Sequence, residues 1–131
     1  MTASNEISLE EYQRGVWAAT SEAAFQAQVV RLARDIGWGP IYHTRYSAGS
    51  QAGYPDLHLL RPGRSLFLEL KTMKGVVTPS QKEWHAALRM SGCEAYIFRP
   101  CDAEAIAGLL ALPERPASWY PESWAKGPGD A

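Results

Sequence analysis

"GYPDLHLLRPGRSLFLELKTMKG", residues 53–75, is the stretch from which the rest of the chain can be read. Two apolar runs flank Arg61-Pro62-Gly63-Arg64. Pro then Gly at the central positions is type II turn chemistry, so the stretch predicts a hairpin with strands over 56–61 and 65–71. A two-residue loop sets Arg61 opposite Arg64, and the same register sets Asp56 opposite Glu69. Strand alternation sends Glu69 and Lys71 to one face and Leu68 and Leu70 to the other. Two carboxylates and one ammonium therefore gather at the open end of a leucine-rich hairpin, near the rim of the sheet. Opposed carboxylates repel, and a lone charge near a core costs on the order of several kcal/mol. Something cationic must offset them. Lys71 supplies one charge. A divalent ion between Asp56 and Glu69 would supply more, and hard oxygen ligands suit Mg²⁺ or Mn²⁺. A surface Asp–Lys–Glu salt-bridge cluster would satisfy the same residues with no metal, and the residues alone leave both readings open.

Outward from the hairpin, helices and strands alternate. Ser8 and Glu11 make a capping box before a short helix expected to end near Gly15. Phe25, Val29, Leu32 and Ile36 recur at helical spacing over 21–36, and Gly37, Gly39 and Pro40 stop that helix. "IYHTRY", 41–46, alternates as a strand and leads into the Gly/Ser loop 47–54. Thr78 as N-cap and Pro79 at the first helical position open a helix that stops at Gly92. "EAYIFRP", 94–100, reads as a further strand, and Asp102 as the cap of a last helix ending before Pro113. This order predicts an α/β domain, a mixed β-sheet flanked by helices, with a helical crossover from the second hairpin strand to strand 94–100.

The 131 residues fit one domain with one core. No apolar run is long enough for a membrane span, and the polar N-terminus does not read as a signal peptide. Cys93 and Cys101 form no CxxC, which argues against a disulfide framework or a zinc knuckle and makes a reducing cytoplasm the expected setting. Charge is uneven. Residues 41–100 carry Arg45, Arg61, Arg64, Lys71, Lys74, Lys82, Arg89 and Arg99 against Asp56, Glu69, Glu83 and Glu94, a net +4 within a chain of net −1. That balance suits an anionic partner, although an ordinary solvated surface explains it more simply. Trp84 reads as core. Trp119, Tyr120 and Trp124 could stack on bases, but packing explains them as well.

Pro55-Asp56, twelve residues, then Glu69-Leu70-Lys71 resembles the PD-(D/E)xK nuclease signature. Four segments together, "SEAAFQAQVVRLARDIGW", "AGYPDLHLLRPGRSLFLELKTMKG", "TPSQKEWHAALRMSGCEAYIFRP" and the Asp102 helix, resemble small stand-alone VRR-NUC domain proteins of phage or prophage type. The resemblance covers residues 20–112, with 1–19 as a helical extension and 113–131 as an irregular tail. It implies a restriction-endonuclease-like fold and a metal-dependent DNA endonuclease, a homodimer acting on branched DNA such as four-way junctions inside a bacterial host cell. By similarity, Asp56, Glu69 and the backbone carbonyl of Leu70 would ligate Mg²⁺ or Mn²⁺, Lys71 would orient the attacking water, and Glu22 would be an outer ligand. Gln81 would join the site, although Thr78-x-x-Gln81 is also a capping box that needs no catalysis. Glu22 is likewise a first-turn carboxylate favourable to the helix dipole. Arg45, Lys74, Lys82 and Arg99 are the candidate contacts to DNA. The last strand ends Phe98-Arg99-Pro100 rather than Val-Arg-Arg, leaving Arg99 as the one candidate there. A non-catalytic nucleic-acid-binding module is the rival expectation.

Overall fold

A computed structural model describes residues 6–44 and 51–116. The turn at Pro62-Gly63 gives the hairpin its shape. Gly63 takes a φ of +79°, which Gly adopts without strain, and Arg61 pairs with Arg64. Strands β2 (Leu57–Arg61) and β3 (Arg64–Leu70) then run antiparallel in the expected register, Leu57 opposite Leu68. β1 (Ile41–His43) pairs antiparallel with β2, and β4 (Glu94–Phe98) pairs parallel with β3, giving a mixed sheet in the order β1-β2-β3-β4. The strand expected over 41–46 is therefore shorter. β1 ends at His43, although the Thr44 N–H still meets the Asp56 carbonyl in the same register, and Arg45 and Tyr46 lie outside the described residues.

Alternation divides the sheet's faces. Leu57, Leu59, Leu66, Leu68 and Leu70 are fully buried on one face against Phe25, Val29 and Ala33 of α2 (Glu22–Ile36) and Ile106 and Leu110 of α4 (Ala103–Ala111). Burying each leucine contributes roughly 1.5–3 kcal/mol. The opposite face carries Asp56, His58, Phe67, Glu69 and Lys71 beside α3 (Pro79–Met90). The result is the α/β architecture expected of a restriction-endonuclease-like domain, and no described helix is long and apolar enough to cross a membrane.

Local expectations were met unevenly. α1 (Leu9–Ala19) has the Ser8–Glu11 capping box but continues through Gly15. One interior glycine costs about 1 kcal/mol, and α1 is in contact with the 3₁₀ turn Pro100–Asp102. Asp102 caps a different backbone group from the one expected: its Oδ2 accepts the Arg99 N–H (2.8 Å), closing the 3₁₀ turn rather than α4. Trp84 is half-buried, edge-on to Tyr54 with ring centroids 5.0 Å apart.

At the turn end of β3 sits a buried ion pair. Arg64 donates from Nε (3.1 Å) and Nη2 (2.6 Å) to Glu94, and from Nη1 to the carbonyls of Leu109 (3.0 Å) and Leu112 (2.9 Å). Its guanidinium lies over the Trp38 ring, and the indole N–H donates to the Leu110 carbonyl (2.9 Å). Tyr96 adds a hydrogen bond to Glu94 (2.7 Å). One guanidinium thus ties β3, β4 and the carbonyl-rich end of α4 together. Truncating Glu94 leaves that cation buried without its counter-charge. Glu94→Ala is expected to lower the unfolding free energy by about 3–5 kcal/mol in urea denaturation. A loss below about 1 kcal/mol would mean that the carbonyls alone hold Arg64.

Candidate active site

The far end of β3 carries the opposite arrangement. Continuing the hairpin register, Leu70 would oppose Pro55, which has no N–H to give. β2 therefore offers the Leu70 carbonyl no ladder donor, and the Leu70 N–H is itself drawn to a side chain, Asp56 Oδ2, at 2.8 Å. The Asp56 backbone is held from the other side, its carbonyl accepting the Thr44 N–H (2.8 Å). In an antiparallel strand the N–H and C=O of one residue point to the same side, so the Leu70 carbonyl faces the same gap as the Asp56 carboxylate.

Glu69 stands beside Asp56 with 5% of its surface exposed, and Lys71 with 8%. Glu69 Oε2 accepts from Gln81 Nε2 (3.0 Å) and lies 3.6 Å from Lys71 Nζ. Glu69 Oε1 is buried with no hydrogen-bond partner among the described residues. Burial chiefly, and then the neighbouring Asp56 carboxylate, push the Glu69 carboxyl up to about 8. Lys71 pulls it the other way, while a side-chain hydrogen bond with Asp56 and, least, the charge of Glu22 add to the push upward. The structure thus brings together Asp56, Glu69, Leu70, Lys71 and Gln81. Gln81 fills both of the roles open to it: its backbone and Oε1 complete the capping box with Thr78, and its Nε2 reaches Glu69.

Glu22 is exposed in the first turn of α2 rather than facing its packed side, near enough for its charge to be felt at Glu69. Among the described residues no three His, Cys, Asp or Glu side chains converge as a metal cage. A cation here would rest on two carboxylates and backbone oxygen, with Glu22 outside them. The donor set fits a hard divalent ion: two adjacent carboxyl groups beside a backbone carbonyl where the ladder ends.

The positive charge of residues 41–100 is largely turned inward. Arg64, Lys71 and Arg89 are buried, Arg61 donates to the Leu110 carbonyl (3.2 Å), and Arg99 Nη1 donates to the carbonyls of Thr72 and Met73. Lys74, in the turn after Lys71, and Lys82, in the first turn of α3, are exposed near the site. Arg45 lies outside the described residues, as do Trp119, Tyr120 and Trp124. His58 shares a hydrogen bond with Ser65 Oγ (2.8 Å) and stacks on Phe67 at 4.0 Å.

The sequence reading did not reach two supports of the site. One is the bond from the Leu70 N–H to Asp56 Oδ2, which no local pattern marks. The other is the seat of Gly53. Its φ is +89°, and a Cβ there would lie 2.5 Å from the Ser80 backbone, so the loop before β2 rests directly on the start of α3. Tyr54 then packs on Trp84 and on Phe67, with centroids 5.0 and 6.2 Å away.

Comparison with known proteins adds one finding. The family model described as "VRR-NUC domain" matches residues 6–100, which takes in α1, the whole sheet and α3. A search of curated proteins and of solved structures returns no match.

The carboxyl pair makes stability depend on pH. With no divalent ion present, the folded chain holds the Glu69 proton up to about pH 8, whereas an unfolded carboxyl releases it near the ordinary value of 4.5. The folded state binds the extra proton between those values, so its stability falls as pH rises from about 5 to 8. Urea midpoints in EDTA are expected to drop over that range by the equivalent of roughly a few kcal/mol, relative to Glu69→Gln. Parallel pH curves for the two proteins would mean that Glu69 ionises normally.

Proposed function

Because this chain belongs to the VRR-NUC domain family, a family of nucleases, we propose that it is a DNA endonuclease with Mg²⁺ or Mn²⁺ at Asp56 and Glu69, working as a homodimer on branched DNA such as four-way junctions. The observation that carries this reading is the buried, partnerless Glu69 Oε1 beside the Asp56 carboxylate. Binding of nucleic acid alone gives no reason to oppose two carboxylates where a phosphate must sit.

Asp56 Oδ2 is tethered to the Leu70 N–H, which leaves Oδ1 to serve as ligand. Gln81 and Lys71 hold Glu69 by Oε2, which leaves Oε1 for the same ion. The Leu70 carbonyl would be the third donor. A divalent cation there supplies a Lewis acid for a phosphoryl oxygen and lowers the pKa of attached water. Glu69 must surrender its proton to become a ligand, and Lys71 then stands next to two anions and the charge developing on the phosphoryl group. Its Nζ would orient the attacking water and offset that charge. Glu22, farther out, would hold a water rather than the ion. Lys74 and Lys82 would contact backbone phosphates on either side, with Arg45 a further candidate contact. Two sites related by a two-fold axis would suit paired cuts across a junction.

The test is cleavage of labelled four-way junction, flap, duplex and single-stranded DNA in Mg²⁺, Mn²⁺ or EDTA. Wild type is expected to cut only with metal, and the branched substrate fastest. Asp56→Asn and Lys71→Ala should each slow cutting by about 10²–10³-fold while binding DNA normally. If every substrate is bound and none is cut, the chain is a binding module on a nuclease fold. Wild-type cutting by Lys71→Ala would remove Lys71 from the chemistry.

A further inference from the structure

Past Lys71 the chain leaves the sheet. The Lys71 N–H donates to the Phe98 carbonyl (2.9 Å), keeping β3 against β4, and the next four residues fold into a turn closed by the Gly75 N–H on the Thr72 carbonyl (3.2 Å). Arg99, the first residue after β4, reaches across this turn. Its Nη1 donates to the Thr72 carbonyl and, at 3.3 Å, to that of Met73. Its own backbone is fixed by Asp102 Oδ2 (2.8 Å) and followed by the buried Pro100. The turn lies close beside the Lys71 side chain: a Cβ on Gly75 would meet Lys71 Cδ at 3.4 Å and Thr72 Oγ1 at 3.1 Å. Downstream the same segment runs to Thr78, whose capping box sets Gln81. Lys71 and Gln81 are the two groups that flank Glu69 Oε2, and the segment joining them is the one Arg99 restrains.

With Nη1 given to two backbone carbonyls, the Arg99 guanidinium is turned toward the turn and presents only part of its donor fork to a phosphate. We propose that Arg99 is a positioning residue: it holds the Thr72–Gly75 turn, and through it the Lys71 ammonium and the Gln81 amide, against Glu69, and it does not contact DNA. This rests on the nuclease reading above and replaces the role expected of Arg99 from sequence.

The experiment compares wild type, Arg99→Ala, Arg99→Gln and Lys74→Ala. Three quantities are read: amide hydrogen exchange over residues 71–78 without DNA, kcat and KM on the best DNA substrate with Mg²⁺, and DNA affinity against salt in EDTA. In Arg99→Ala, exchange at Lys71 and Gly75 should quicken about tenfold or more. Its kcat should fall by about ten- to a hundredfold, with KM and DNA affinity within about twofold of wild type. Arg99→Gln keeps an N–H donor and loses the charge, so its kcat should fall less, with an unchanged salt slope. Lys74→Ala should do the reverse, weakening affinity and reducing the salt slope by about one. If Arg99→Ala does not fold, Arg99→Gln decides. A salt slope reduced by about one in either Arg99 variant would make Arg99 a phosphate contact and overturn the proposal. Unaltered exchange over 71–78, or a wild-type kcat with quickened exchange, would also overturn it. Failure of wild type to cut any substrate would sink the nuclease reading by itself, before an Arg99 variant is compared.

Discussion

Two carboxyl groups side by side at the mouth of the β2–β3 hairpin set the terms for everything around them. Their repulsion is opposed from three directions: by the Leu70 N–H on Asp56, and by the Gln81 amide and the Lys71 ammonium on Glu69. Each opponent comes from a different piece of backbone, so the sheet, the turn after β3 and the first turn of α3 must all be in place for the pair to exist. Even then the opposition is incomplete, and Glu69 keeps a proton. The proposed cation would stand where that proton stands.

β3 carries buried charge at both ends, and the two ends are finished differently. At the turn end, Arg64 and Glu94 exhaust one another with help from helix carbonyls, Tyr96 and the Trp38 ring. Such a network fixes the packing of α4 on the sheet and holds its charges away from solvent. At the other end an acceptor is left over. The same strand thus separates a charge that organises the fold from a charge available for chemistry.

Local features were legible in the sequence and distant ones were not. The hairpin register could be read because a tight turn links the two strands and each pair follows arithmetically from the one before. The Ser8 and Thr78 capping boxes could be read because their partners are three residues apart. The same short-range arithmetic is enough to gather Asp56, Glu69 and Lys71 at one end of the hairpin. Arg64 with Glu94 could not be paired in this way, because 30 residues separate them and nothing local marks either as buried. Arg99 shows the same limit: spacing cannot distinguish a guanidinium that faces solvent from one folded back on carbonyls 26 and 27 residues away. Regional charge misleads for this reason, since it counts arginines that the fold has already engaged.

The seat of Gly53 on Ser80 has a consequence for the shape of the cleft. The distance between the loop that delivers Asp56 and the helix that delivers Gln81 is set by the Gly53 main chain lying on the backbone and Cβ of Ser80, with no flexible side chain between to act as a cushion. The aperture is therefore a fixed dimension of the scaffold, and any residue larger than glycine at that point would act as a wedge, prising the two walls apart.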